Sequence, residues 1–329
     1  MRKTKVIFFL MIVVSFLTVL VFIHNRYDYL EKRNSDFYEI SVICRGKNME
    51  SYSSVKAGID QAADDLNAEV NYITLTKDND AAQQLSLLKQ EISNGTNAVV
   101  IIPAENVQDG SVLRDAAREV PLVALKYPIG DVSYATAISC DEYRLGSELA
   151  KKIISDKGPA GSGRFQIIRR SSQGGGTRLL EGVTDALKNG GATDITCSAA
   201  ADSYKKVYDD VKQSMGKNEG RIFVALDGDS LEVAGKAKKD LLKSGEASDE
   251  SIYGVGRTDA NVAMLGDGII QAIGAEDEYS MGYLGIKIAI DGIQKKYNEN
   301  DITVNFIVSD KSNMHYPKNE YILFPFINY

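Results

Sequence analysis

Tryptophan is absent from the 329 residues, histidine appears only as His24 and His315, and cysteine only as Cys44, Cys140 and Cys197. Two histidines without a close pair of cysteines leave almost no material for a zinc site or a Ser–His–Asp triad. Three widely spaced cysteines give neither a disulfide framework nor a CxxC spacing. Each lies in an apolar run, so we expect buried free thiols in strands. Basic residues are short as well: 38 Lys and Arg against 45 Asp and Glu give a formal net charge of −7. Such a chain lacks the concentrated basic face that a phosphate backbone requires. Without Trp, any aromatic contact with a ligand falls to tyrosine, with Tyr52, Tyr127 and Tyr204 as candidates.

What is present is ordinary for a globular protein: 44% hydrophobic and 25% charged residues. The length suits two domains of about 150 residues each. The N-terminus is the most legible segment. Arg2, Lys3 and Lys5 precede an uncharged run from Val6 to Ile23. As a helix rising 1.5 Å per residue it would span about 27 Å, close to a hydrocarbon core of about 30 Å. The basic residues before it place the N-terminus inside and the remainder outside. No small-x-small cleavage site follows between Phe16 and Arg33, and no cysteine follows for a lipid anchor, so we expect an uncleaved transmembrane anchor. Residues 1–36 are then a cytoplasmic tip, anchor and stalk.

From Tyr38 onward, short β-rich runs alternate with helical stretches of 12 to 18 residues, the beat of βαβ units. The expected strands of the first half begin at Tyr38–Cys44, Val70–Leu75, Ala98–Ile102, Pro121–Leu125 and Ala135–Ser139. Helices Ser53–Leu66 and Ala81–Ile92 lie between them. The beat restarts with helix Asp141–Ile154, strand Arg164–Ile168 and helix Thr177–Leu187. Strands Ile195–Ser198, Arg221–Leu226, Ile252–Val255 and Ile269–Gly274 follow, separated by helices. A long amphipathic helix runs from Gly282 to Tyr297, and Val304–Val308 is the closing strand, with Tyr321–Phe326 beyond it. Two successive α/β halves suggest two Rossmann-like lobes whose ligand sits outside the carboxyl ends of the strands.

Several local patterns, in order, resemble the type I periplasmic sugar-binding proteins, the ribose-binding-like group whose fold also forms the sensory lobes of LacI-type repressors. Val55-Lys56-Ala57-Gly58-Ile59-Asp60-Gln61-Ala62-Ala63 resembles that family's first helix. Ala98 to Pro103 resembles its apolar strand ending in Pro. Ser139-Cys140-Asp141-Glu142-Tyr143-Arg144-Leu145-Gly146 is similar to its first interlobe crossing. Gly254-Val255-Gly256 stands where the family has Gly-Phe-Asp, and Asp267 to Ala272, then Gly282, resemble the strand and helix that recross.

The resemblance implies an α/β fold of two parallel-sheet lobes joined by a three-segment hinge. The crossings would fall near Ser139–Asp141, Glu276–Glu278 and Phe306–Ser309, giving a first lobe of 37–140 plus 277–307 and a second of 141–276 plus 308–329. It also implies ligand contacts at Arg45, Lys47, Asn48, Lys126 and Tyr127 from the first lobe. From the second it implies Arg178, Asp202, Asp227, Arg257 and Glu276. The chain departs from the pattern where Lys126-Tyr127 replaces Asp-Arg, where Gly256 replaces the aspartate, and where Arg178 to Gly182 is one residue longer than Arg-x-x-Gly.

Other signals read more plainly. Gln173-Gly174-Gly175-Gly176-Thr177 precedes a helix but lacks the Gly-Lys-Ser/Thr of a P-loop, so it reads as a cleft-edge loop, with a sugar phosphate or sugar acid left open. Asp227 and Asp229 read as one cleft contact and one helix cap respectively rather than as a metal or acid–base pair. Neither a cofactor nor a metal is expected. No nucleophile–base pair supports a two-lobed enzyme, and an anchor stands where a repressor would need a helix-turn-helix. The resulting expectation is a receptor that closes on a small polar ligand, a sugar, and presents it to a membrane partner. A sensor histidine kinase is favoured for that partner, by resemblance of Asn313–Tyr316 and Leu323–Pro325, over an ABC permease. A native protein with an intact N-terminus that fractionates with membranes is the expected outcome. A mature chain beginning after residue 20, read by mass spectrometry, would contradict it.

Overall fold

The computed structural model describes residues 38–104, 110–129, 135–158, 163–169, 177–198, 203–246, 250–296 and 301–325. The segment 1–36 expected to hold the anchor lies outside them. Among the described residues no helix is long and apolar enough to cross a membrane.

Strand β1 (Tyr38–Ile43) starts the first sheet, followed by helix α1 (Ser53–Leu66), β2 (Ala68–Ile73), α2 (Ala81–Asn94), β3 (Ala98–Ile101), α3 (Gly110–Glu119), β4 (Leu122–Lys126) and β5 (Ala135–Cys140). The second half repeats the series: α4 (Glu142–Lys157), β6 (Arg164–Ile168), α5 (Thr177–Asn189), β7 (Asp194–Cys197), α6 (Tyr204–Met215), β8 (Arg221–Ala225), α7 (Gly228–Lys243), β9 (Ser251–Val255), α8 (Asp259–Gly266) and β10 (Ala272–Glu276). The chain ends through α9 (Glu278–Ile293), β11 (Ile302–Val304), β12 (Phe306–Asp310) and α10 (Pro317–Leu323).

Two six-stranded sheets result, in the orders β11-β5-β4-β3-β1-β2 and β12-β10-β9-β8-β6-β7. Central strands such as β3 are buried along their whole length, as a strand covered by helices on both faces must be. The edge strand β7 is mostly exposed, and this corrects the expectation for one thiol: Cys44 and Cys140 are buried, whereas Cys197 stands at the exposed edge.

The chain passes between the sheets three times, after β5, after β10 and between β11 and β12. The last passage corrects the expected boundary. Val304 still belongs to the first sheet and Phe306 already belongs to the second, so the expected closing strand is two strands and residues 306 and 307 go with the second sheet. It also makes the second sheet mixed, because β12 runs antiparallel to β10. The other strands run toward the gap between sheets. A strand that passes straight across the gap through Asn305 therefore enters the second sheet against the grain. The apolar segment at Tyr321 falls in helix α10, which Pro317 opens at the first turn.

The first two passages use one local device twice. Asp141-Glu142-Tyr143-x-x-Gly146 and Asp277-Glu278-Tyr279-x-x-Gly282 are an internal repeat. Asp141 accepts from the Arg144 amide at 3.0 Å and Asp277 from the Ser280 amide at 3.0 Å, so each caps the helix that starts in the other lobe. Each motif then places two helices backbone to backbone. A methyl group on Gly58 would lie 2.0 Å from the Tyr279 carbonyl, and one on Gly282 would lie 2.0 Å from that of Val55. On the other side, Gly182 faces the Tyr143 carbonyl at the same 2.0 Å and Gly146 faces that of Leu179 at 2.4 Å. Thus α9 locks onto α1 and α4 onto α5, each lobe borrowing a helix from across the hinge.

Two outcomes follow from this packing. Gly58→Ala must push α1 from α9 and is expected to cost about 3 kcal/mol, at the upper end of overpacking, in chemical denaturation. Burial pushes the Cys44 thiol up to about 12 and raises that of Cys140, so iodoacetamide at pH 8 should label Cys197 alone in the native protein and all three cysteines after unfolding.

Candidate ligand-binding cleft

The loops that follow the strands of both sheets open onto one cleft, which holds about 1190 Å3 of empty space including its mouth. The first lobe contributes Glu50, Ser51, Tyr52 and Ser53 from the turn that leads into α1, and Lys126 and Tyr127 from the end of β4. The second lobe contributes Leu226 to Asp229 after β8, Val255 to Asp259 after β9, Glu276 at the end of β10, and Arg169 after β6. Glu142 and Glu278, the equivalent glutamates of the two Asp-Glu-Tyr motifs, complete the wall.

At the back of the cleft Lys126 holds the hinge. Its backbone takes φ +68°, the left-handed region that few side-chain-bearing residues adopt. From there Nζ donates to Glu276 Oε2 at 2.7 Å and to Glu278 Oε1, gripping both residues that flank the second passage. The side chains of all three are mostly buried, with exposures of 12 to 17%. Burial alone would lower the lysine pKa, but the two carboxylates outweigh it and hold Lys126 well above the ordinary lysine range. The third passage joins the same knot, since the Asp277 amide donates to the Asn305 carbonyl at 2.9 Å.

Tyrosines cover the first-lobe side. Burial raises the Tyr52 and Tyr127 phenols above their ordinary value, so both remain neutral and able to donate. The Arg45 guanidinium stacks 4.9 Å from the centre of the Tyr127 ring and is buried behind it. On the second-lobe side Asp227 accepts from the Ser230 amide at 2.8 Å and from its hydroxyl at 2.7 Å, so it is the cap of α7. The cap expected at Asp229 is therefore Asp227, which also lines the cleft, while Asp229 sits in the first helical turn, likewise on the cleft. The reason is geometric, since the residue before the first helical turn is the one whose side chain reaches the free amides. Arg257, its side chain buried, bridges the two lobes. Its Nη1 donates to Ser54 of the first lobe at 3.3 Å, its Nη2 to Asp259 at 2.7 Å, and its Nε to the Leu323 carbonyl at 2.9 Å.

Of the residues expected to contact a ligand, Lys126, Tyr127, Asp227, Arg257 and Glu276 converge on the cleft. Arg45 lies behind it. Lys47 and Asn48 are exposed on the loop after β1, where the Lys47 amide bonds Asp78 and Asn48 bonds Glu50. Arg178 is exposed on α5, 5.9 Å from the Tyr143 ring centre, and Tyr204 is exposed at the start of α6. Asp202 and the glycine loop 173–176 lie outside the described residues. Sequence reasoning missed Glu50, Ser51, Ser53, Arg169, Thr258, Glu142 and Glu278. The duplicated Asp-Glu-Tyr motif was the signal for the last two, because equivalent residues at two passages face the same gap.

Carboxylates outnumber cations on the described wall: Glu50, Glu142, Asp227, Asp229, Asp259, Glu276 and Glu278 against Lys126, Arg169 and Arg257. Lys126 is the pivot of that balance. Lys126→Met leaves two buried carboxylates facing each other and is expected to lower stability by about 3 kcal/mol in urea denaturation. A raised lysine pKa contributes stability fully below the unfolded value of about 10.4 and loses it only as pH rises through the folded value. The difference between parent and variant should therefore be flat from pH 7 to 9.

No curated protein matches the chain in sequence. Among solved structures it is similar to a carbohydrate-transporter solute-binding protein from Agrobacterium radiobacter in complex with D-arabinose, at 20% identity and a TM-score of 0.77, covering 88% of this chain and 99% of that one. It is also similar to the glucose-galactose binding protein GanP from Geobacillus stearothermophilus, at 15% identity and a TM-score of 0.73, covering 85% and 100%. A third likeness is to a chain of the XylFII–LytSN complex, at 18% identity and a TM-score of 0.72, covering 84% and 98%. At these identities the likeness is one of fold. The family model for the periplasmic binding protein domain matches residues 40–312, nearly the whole of both sheets, and the chain belongs to that family.

Proposed function

We propose that this protein is an extracytoplasmic solute-binding receptor, not an enzyme, whose lobes close on a small neutral sugar. The observation that carries the reading is the cleft between the sheets, where carboxylates, two guanidinium groups and neutral tyrosine hydroxyls converge from both lobes. Such groups suit vicinal hydroxyls, because a carboxylate accepts two hydrogen bonds and a guanidinium donates in a fork. Lys126, Tyr127, Asp227, Arg257 and Glu276 are the residues of the sequence-derived set that we place in contact with it, and Tyr52 and Asp229 join them. The surplus of carboxylates on the described wall disfavours the sugar acid or sugar phosphate that the sequence left open.

The apolar run Val6–Ile23 supports a single membrane anchor with the cleft outside the cell. A fixed receptor suits a standing membrane partner, and we favour a sensor histidine kinase. The structural likeness to a chain solved in complex with a second protein, LytSN, supports a receptor of this fold working in a protein complex. An ABC permease is the second reading, favoured by the likeness to a carbohydrate-transporter component. A kinase–regulator pair beside the gene, or a permease and ATPase, separates the two.

The test is a melting screen of the ectodomain with D-arabinose, D-glucose, D-galactose, D-fucose, glucuronate and glucose 6-phosphate. Ligand at a hundred times Kd adds about 2.7 kcal/mol to the native state. At least one neutral sugar should raise Tm by several degrees and be recovered unchanged, while the two anions should not. Chemical conversion of the sugar that binds would favour an enzyme, and stabilisation by the anions alone would overturn the neutral-sugar assignment.

A further inference from the structure

The second-lobe wall of the cleft consists of two loops that touch backbone to backbone. Gly256 has φ +120°, and a methyl group there would lie 2.5 Å from both the nitrogen and the Cα of Gly228. No other residue type permits that approach at that φ. Beneath the contact sits Asn261, fully buried in the first turn of α8. Its Nδ2 donates to the Gly228 carbonyl at 2.9 Å and to the Gly256 carbonyl at 3.2 Å. Both N–H groups of the amide are spent on these two loops, while its buried Oδ1 meets no donor among the described residues. Turning the amide over would set that oxygen against two carbonyl oxygens, so the observed orientation is the one the pair of carbonyls selects.

We propose that Asn261, which does not itself line the cleft, is the positioning residue for the second-lobe half of the binding site. Gly228 is flanked by Asp227 and Asp229, and Gly256 is followed by Arg257, so one buried amide sets the spacing of the groups that face the ligand. Two carbonyls pulled toward one nitrogen hold the loops at a single separation, and the site is therefore organised before a ligand arrives. The inference rests on the receptor reading for its effect on affinity, but its structural half stands without a ligand.

Asn261→Ala removes both donors and with them the link between the two loop carbonyls. Val211→Ala, a core change on helix α6, which contributes no residue to the cleft, serves as a control for general loss of stability. Hydrogen exchange of the unliganded ectodomain should rise tenfold or more at the amides of residues 228–230 and 256–258 in Asn261→Ala, relative to strands β8 and β9, and Val211→Ala should not reproduce that local pattern. The affinity for whichever of D-arabinose, D-glucose, D-galactose or D-fucose stabilises the parent should fall ten- to hundredfold in Asn261→Ala, and stay within twofold in Val211→Ala. Loops that exchange at the parent rate overturn the proposal, as does binding within twofold of the parent. If no sugar of the set stabilises the parent, the neutral-sugar reading falls, and exchange of the two loops still decides the role of Asn261.

Discussion

Everything in this molecule depends on the chain passing three times through one narrow seam. Each passage must end a strand on one sheet and begin an element on the other without losing its backbone hydrogen bonds in a buried place. Two passages solve this with an aspartate that caps the next helix, and the third solves it by running straight through Asn305 from one strand to the next. The passages are also bound to each other, through the Asp277 amide on the Asn305 carbonyl and through Lys126 on Glu276 and Glu278. Bound together in this way, the three passages lie along one seam, and the cleft opens beside it.

The lobes are interleaved rather than merely adjacent. Helix α9 follows a strand of the second sheet yet packs on α1 of the first lobe, and α4 makes the reverse exchange with α5. Glycine is what makes these exchanges tight, because a side chain at Gly58, Gly146, Gly182 or Gly282 would collide with a carbonyl of the partner helix. Close helix contact packs each lobe tightly, and among the described residues the three passages are the chain's only crossings between the sheets. Arg257 adds a buried link between the lobes: it reaches Ser54 in the other lobe at one end and the carbonyl of Leu323, the last residue of α10, at the other.

Much of the fold was legible. The alternation of short β-rich runs with helical stretches is a local property, and the buried central strands are recognisable as unbroken apolar runs. The expected passages after Cys140 and at Glu276–Glu278 coincide with the changes of sheet. The third was misplaced because β11 and β12 are separated by one residue, and nothing local distinguishes one strand from two that belong to different sheets. The site was legible in part. All ten positions were carried over by resemblance. The cleft gathers those at the ends of β4, β8, β9 and β10, whereas Lys47 and Asn48 in the longer loop after β1 and Arg178 on helix α5 do not line it, because side-chain placement there depends on neighbours far away in sequence.

The amino-acid sequence by itself determined the α/β class and the two-part organisation, because periodicity is a local quantity. It also contained the Asp-Glu-Tyr duplication whose capping chemistry acts within a single turn. Only the tertiary structure decided that Lys126 is clamped between two glutamates 150 and 152 residues away, that Asp227 rather than Asp229 is the cap, and that Gly256 leans on Gly228. The Lys126 clamp and the Gly256–Gly228 approach join segments far apart in the chain, and no property of either segment alone encodes the meeting. The Asp227 cap is local, but which of two nearby aspartates takes it is decided by where the packed helix begins.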